Sequence, residues 1–243
     1  VSRERELAGQ KVVVIGGSSG IGLETARQAR SEGADVILAA RNPERLEHAA
    51  RDLGALSSAA FDATDFDRLG RFFDELPTPI DHVLVTSGGP YYARLADIDF
   101  AQARRNVEAV FWLPLHIARR AVGKVRPGGS LLFINGTGGR RAGAGAVLAT
   151  FTAAIPALTG ALALELAPVR VNLLAPGFVD TPLSASLLGD RLDARREQLR
   201  KTLPIGRVVG PADIAALALH LMINTAVTGA TYDIDGGQQL VEG

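Results

Sequence analysis

The chain of 243 residues contains no cysteine, which excludes disulfides, thiolate metal ligands and thiol nucleophiles. Lysine is almost as scarce: Lys11, Lys124 and Lys201 are the only three, and every other basic residue is an arginine. There are three tyrosines and one tryptophan. Neither sign of charge is in excess, since 26 Lys and Arg balance 26 Asp and Glu. That balance gives no global reason to expect nucleic acid or an anionic membrane as partner. No stretch reaches the ~18 uninterrupted apolar residues of a membrane span. The charged opening Val1-Ser2-Arg3-Glu4-Arg5-Glu6 does not read as a signal peptide. Together with the missing cysteine, this leads to the expectation of a soluble, cytoplasmic protein. What is abundant is apolar residue, at 47%, and glycine, at 27 residues, on a length suited to one large α/β domain.

Apolar runs of strand length recur at 11–15, 35–40, 56–61, 82–86, 130–134, 169–174 and 230–234. They are nearly continuous rather than alternating, as parallel strands covered on both faces should be. Between them, stretches of helical period or propensity occupy 21–31, 43–52, 65–76, 100–122, 144–167 and 211–222. Alternation of this kind predicts a Rossmann-type doubly wound parallel sheet of about seven strands with helices on both faces. Asn42-Pro43, Pro127-Gly128-Gly129 and Pro211 mark element boundaries. With no linker, repeat or low-complexity tract, residues 1–243 read as a single domain. The charged, amphipathic segment 182–206 is expected to be a surface helix or lid.

The first strand runs directly into Gly16-Gly17-Ser18-Ser19-Gly20-Ile21-Gly22 and then into a helical pattern. In that context Gly16 permits the tight turn, Gly20 lets backbone approach a pyrophosphate, and Gly22 allows close helix–sheet packing. Phosphates would sit on the helix N-terminus, where free N–H groups and the dipole favour negative charge. The second strand ends in Ala40-Arg41-Asn42, where an NAD-binding chain usually carries an acid for the ribose 2′-hydroxyl. An arginine suits a 2′-phosphate instead, so the cofactor expected is NADP(H). The same glycines also fit G-x-S-x-G, a hydrolase nucleophile turn. That reading needs a histidine at a later strand end, and His48, His82, His116 and His220 fall in expected helices or at a strand start.

Taken together, these residues resemble a short-chain dehydrogenase/reductase. Gly16, Gly20 and Gly22 match the family's G-x-x-x-G-x-G spacing. Phe61-Asp62-Ala63-Thr64-Asp65 is similar to the segment that meets adenine, so the resemblance assigns that role to Asp62 and Ala63. Ser87, Gly88 and Gly89 stand where an N-N-A-G-like motif is usual, with both asparagines replaced. Pro176, Gly177, Val179 and Thr181 match the P-G-x-V-x-T stretch that receives the nicotinamide, and Asp235-Gly236-Gly237 closes the last strand. The resemblance spans about residues 7–240. It implies a cofactor site built from Gly16, Ser18, Ser19, Gly20, Ile21, Gly22, Arg41, Asn42, Asp62, Ala63, Ser87, Gly88, Gly89, Pro176, Gly177, Val179 and Thr181.

The family's chemistry normally rests on a serine after strand five and a Y-x-x-x-K pair on the next helix. Alignment through Leu158-Thr159-Gly160-Ala161-Leu162 puts Leu148 at the tyrosine position and Thr152 at the lysine position, with the serine position on Gly136 beside Thr137. No lysine lies four residues after Tyr91, Tyr92 or Tyr232, so no other alignment restores the pair. Asn106 falls near the family's fourth catalytic position, but that role works through a water on the missing lysine, and the alternative is a helix-surface or backbone-bonding asparagine. Tyr91 and Tyr92 are expected on a loop beside the nicotinamide pocket, either as proton donors or as packing. Asn135 and Thr137 either hydrogen-bond a substrate oxygen or hold the local turn. Arg140 and Arg141 are anion binders or solvated side chains, and His116 is a core or interface histidine. Tyr91, Asn106 and Thr137 are the catalytic candidates. No metal site is expected, because nothing has ligand spacing.

Two functions follow. One is an NADP(H)-dependent oxidoreductase for an activated carbonyl or enone, with a non-standard donor. The other is a catalytically silent NADP(H)-binding sensor or scaffold. The partners expected are a small-molecule substrate and further copies of the chain, as a homotetramer or homodimer through the apolar helices 100–122 and 144–167.

Overall fold

The computed structural model describes residues 5–141 and 143–241; most of the charged opening, residues 1–4, lies outside them. Seven strands form one parallel sheet: β1 (Lys11–Ile15), β2 (Asp35–Ala40), β3 (Ser57–Ala60), β4 (Ile80–Val85), β5 (Val125–Ile134), β6 (Arg170–Pro176) and β7 (Thr231–Ile234), in the order β3-β2-β1-β4-β5-β6-β7. Chain order reverses between β1 and β4, and in open α/β sheets ligands bind beyond the strand C-termini at such a switch point. All six pairings are parallel, and the continuous apolar runs of β1, β2, β4 and β6 are buried on both faces, whereas the edge strand β3 is largely exposed.

One face carries α1 (Gly20–Ser31), α2 (Pro43–Leu53) and α9 (Pro211–Ile223), packed on Val12, Val14, Leu38, Leu84, Leu132 and Leu174. The other carries α3 (Phe66–Glu75), α4 (Phe100–Val107), α5 (Leu113–Ala121) and α6 (Ala146–Glu165), packed on Val13, Ile15, Val83, Leu131, Phe133 and Leu173. Alternate residues of each strand thus feed opposite cores. Local chemistry sets the helix ends. Asn42 accepts from Arg45 N at 2.8 Å ahead of Pro43, Asp65 accepts from Arg68 N at 3.0 Å, and Asp213 accepts from Gly210 N at 2.9 Å.

Three expectations change. The helix expected over 100–122 is α4, a wide π-helical turn at Glu108–Trp112, and α5. Pro114 enters at the start of α5, has no N–H to give and clashes with a regular preceding turn, so the helix widens before it. Strand β5 begins at Val125, ahead of Pro127-Gly128-Gly129; Ile80 pairs with Val125 and His82 with Ser130, so those residues bulge within the strand. The surface helix expected over 182–206 is two helices, α7 (Pro182–Leu188) and α8 (Leu192–Thr202), joined by a 3-10 turn. The C-terminal helix α10 (Gln238–Val241) was not expected.

Helix α6 is apolar all round and, by length and composition alone, could cross a membrane; a third of its most apolar stretch is buried within the chain. It packs Ile155, Leu162 and Ala163 on the sheet and leaves Leu164 83% exposed.

Candidate active site and cofactor cleft

The turn from β1 into α1 is built so tightly that two of its residues have no room for side chains. A Cβ on Gly16 would lie 2.3 Å from Thr86 Oγ1, and one on Gly22 2.3 Å from the carbonyl oxygen of Gly16. Thr86 Oγ1 in turn donates to the Gly16 carbonyl at 3.2 Å, tying the glycine turn to the end of β4. Gly16 and Gly20 adopt left-handed φ of 96° and 56°, which L side chains resist. Ser19 makes no side-chain cap to α1, so no side chain among the described residues competes for the first-turn amides of Gly20, Ile21 and Gly22. Ser18 stands at the same rim, lining a groove of about 480 Å³ with Arg27, Arg45 and His48.

At the end of β2, Ala40 carries no charge and Arg41 is exposed without an ion pair among the described residues. Asn42 is occupied as the cap of α2. Beyond β3, one carboxylate oxygen of Asp62 accepts from Thr64 N and Oγ1 at 2.9 and 2.8 Å, which fixes the Asp62-Ala63 turn at the cleft edge.

Across the cleft, Gly177 packs so closely on Gln238 and Asp235 that a Cβ would lie 2.5 and 2.7 Å from them. Gln238 accepts from Phe178 N at 2.8 Å, so α10 holds the loop that follows Pro176. The Asp235 carboxyl is held below its ordinary range: burial would raise it, but the amides of Gln239 and Gly237 outweigh that. Thr181 caps α7 by a reciprocal pair with Ser184, and its methyl lies about 3.5 Å from the Cβ position of Gly20. Leu183 reaches over Gly89 in the same way. Arg196 of α8 grips Asp180 with two hydrogen bonds, 2.9 and 2.7 Å, and holds this segment across the cleft mouth.

On the substrate side the structure selects among the alternatives that the sequence leaves open. Tyr91 accepts from Asp99 N at 2.9 Å and donates to Asp99 O at 3.3 Å, so its hydroxyl anchors the start of α4 and is not open to a substrate. Asn106 donates to Gly89 O at 2.7 Å and pins the loop after β4; its amide acts on backbone. Asn135 likewise donates to Phe151 O at 3.2 Å. Thr137 is fully buried in the 3-10 turn Thr137–Arg140, with its hydroxyl unpaired among the described residues. Leu148 and Thr152, aligned with the family's tyrosine and lysine, are both buried beneath that turn; a Cβ on Gly139 would lie 2.2 Å from Thr152 Oγ1. Arg140 forms a two-pronged pair with Asp233, at 2.5 and 2.8 Å, which removes it as an anion binder. His116 stacks on Phe66 at 3.7 Å, a packing role. No group of metal-binding side chains occurs among the described residues.

Comparison with known proteins fits this geometry. The family model described as Enoyl-(Acyl carrier protein) reductase matches residues 15–239. The curated short-chain dehydrogenase/reductase ATR9 of Stachybotrys chlorohalonatus is 32% identical, over 95% of this chain and 97% of that protein. The chain is a short-chain dehydrogenase/reductase. Among solved structures, the MalC reductase/Diels-Alderase of Malbranchea aurantiaca superposes with a TM-score of 0.88 at 27% identity, covering 98% of this chain and 100% of that one. A small-chain dehydrogenase in complex with NADPH superposes with a TM-score of 0.81 at 32% identity, covering 96% and 99%. As a member of this family, the chain is an oxidoreductase.

Proposed function

We propose that this oxidoreductase uses NADP(H) to reduce an activated carbonyl or enone, with a proton donor other than the family's tyrosine–lysine pair. One observation supports the reading: Gly16 and Gly22 leave no room for side chains in the turn after β1 and Arg41 is exposed after β2, while Leu148 and Thr152 are buried and carry neither phenol nor ammonium. The amides of α1, with Ser18 and Ser19, hold the pyrophosphate; Arg41 takes the 2′-phosphate; Asp62 and Ala63 border the adenine. Ser87, Gly88 and Gly89 line the floor, and Pro176, Gly177, Val179 and Thr181 receive the nicotinamide. Bound NADPH supplies the hydride. The protein's task is to orient the carbonyl and exclude water, and the segment 182–206 acts as the lid.

Without a lysine beside a phenol, the best substrates are those whose own structure stabilises charge on oxygen, such as conjugated quinones. The relatives' names span reductases, dehydrogenases and a reductase/Diels-Alderase, so family membership leaves the substrate to this chain's own pocket. The test is NADPH consumption against a panel of carbonyls and enones, with NADPH binding measured in parallel. Turnover of quinones above simple ketones is expected. Tight NADPH binding with no turnover would favour the silent sensor or scaffold, a reading supported by the same burial of Leu148 and Thr152. We also infer a homodimer or homotetramer through α4–α5 and α6, whose outer faces expose Trp112 and Leu164. A stable monomer in sedimentation at micromolar concentration would refute it.

A further inference from the structure

We propose that Tyr92 is the residue that hydrogen-bonds and protonates the substrate oxygen; the inference deepens the functional reading above and rests on it. Tyr92 sits on the loop after β4, and its phenol crosses to the turn after β5. A Cβ on Gly138 would lie 2.9 Å from Tyr92 Oη. On the other side of that turn, a Cβ on Gly136 would lie 3.3 Å from the carbonyl oxygen of Pro176, at the start of the loop that faces the glycine turn. The turn that carries a serine in the family is therefore bare at Gly136 and Gly138, and a hydroxyl arrives there from the opposite loop. Bare glycine is what permits this, because any side chain at 138 would meet the phenol oxygen.

The hydroxyls nearest this turn are engaged or enclosed: Tyr91 Oη is taken by Asp99, Thr137 is fully buried, and Thr152 Oγ1 is closed in against Gly139. Tyr92 is 60% exposed, and no protein group hydrogen-bonds its phenol among the described residues. Tyr92 also borders an open pocket of about 390 Å³ together with Arg94, Asp97, Asp99 and Gln102. NADPH, when bound, would supply hydride to the carbonyl carbon, and the π pair of the C=O bond would move onto oxygen. The Tyr92 O–H bond breaks as its proton passes to that oxygen, giving the alcohol. The phenolate then takes a proton from water, which the exposure of Tyr92 allows.

The test compares wild type, Tyr92→Phe, Gly138→Ala and Tyr91→Phe, using 9,10-phenanthrenequinone as probe. Steady-state reduction by NADPH gives kcat, and fluorescence titration gives NADPH affinity. Calorimetric titration of quinone into the NADP⁺ complex, where no reduction occurs, reads the contact directly. Tyr92→Phe should lower kcat about a hundredfold or more, as loss of a positioned acid does. It should leave NADPH affinity unchanged and weaken quinone binding about tenfold, the size of one lost hydrogen bond. Gly138→Ala should push the phenol aside and lose activity in the same direction with the phenol still present. Tyr91→Phe should lower the melting temperature and keep kcat within threefold. A Tyr92→Phe kcat within threefold of wild type overturns the proposal. If wild type binds the quinone but reduces nothing, the oxidoreductase reading fails separately, and the binding titration decides Tyr92: equal affinities overturn it. No quinone binding and no turnover by wild type overturns both.

Discussion

Along the β1–β3 side of the cleft, close packing strips side chains away and leaves backbone amides and one guanidinium open. Along the β5–α6 side, close packing buries the side chains themselves. Both sides use glycine, but for different ends. Gly16 and Gly22 keep a phosphate-sized cradle beneath Thr86, whereas Gly138 and Gly139 let one turn press onto Thr152 and approach Tyr92. The cofactor side is thus set by local chain geometry. The substrate side is set by which distant loop the turn meets.

The largest test of that contrast is Gly22→Ala. Its Cβ would meet the Gly16 carbonyl at 2.3 Å, a backbone atom that cannot swing away. NADPH affinity measured by calorimetry should fall about a thousandfold or more, some 4 kcal/mol. A loss under tenfold would show that the cradle relaxes and that the two sides are less different than described.

Strand β4 is the seam between the sides, and its buried His82 tests whether they stand or fall together. Its ring nitrogens meet Ser130 Oγ and Gln10 Oε1, each at 2.8 Å. Burial, helped by Arg170 and Arg126 and opposed by Asp81, lowers its pKa from 6.5 to about 3. The unfolded chain therefore binds the extra proton between those values, and stability falls as pH drops from 6.5 towards 3. At pH 4.5 this costs about 3 kcal/mol relative to neutral pH. Acid unfolding should show the cofactor and substrate sides melting in one transition, and His82→Asn should remove most of the slope in this window. Two separate transitions would break the idea of a shared seam.

The smallest effect is expected at Arg41, which changes specificity without touching the packing. NADPH should bind at least about tenfold tighter than NADH, or 1.4 kcal/mol. Arg41→Asp should narrow or reverse the ratio; an unchanged ratio would mean that the guanidinium stays in solvent.

Much of this is legible in the sequence. The β1 run ending in Gly16, the Asn42-Pro43 cap and the seven apolar runs each depend on neighbours within a few residues. Other features are not. Pro114 gave no sign in advance that the turn before it would widen, because the proline rule says only that the regular hydrogen bond is lost. For Asn106 the sequence leaves chemistry and backbone bonding both open, and the fold selects the second by bringing its amide to Gly89 O, seventeen positions earlier. Tyr91 and Tyr92 looked equivalent on paper. One turns to Asp99 and the other to Gly138, and adjacency in sequence does not predict which way a loop residue faces.

The sequence by itself determined the parallel sheet, the glycine cradle, the choice of arginine over an acid after β2, and the lack of a tyrosine–lysine pair, because each is a matter of residue type at short range. Only the tertiary structure decided that Leu148 and Thr152 lie enclosed under the β5 turn, that Gln238 holds the loop after Pro176 from the far end of the chain, and that Tyr92 reaches the bare glycine at 138. These contacts join segments tens of residues apart. Their geometry follows from how the helices seat on the sheet, which no local pattern encodes.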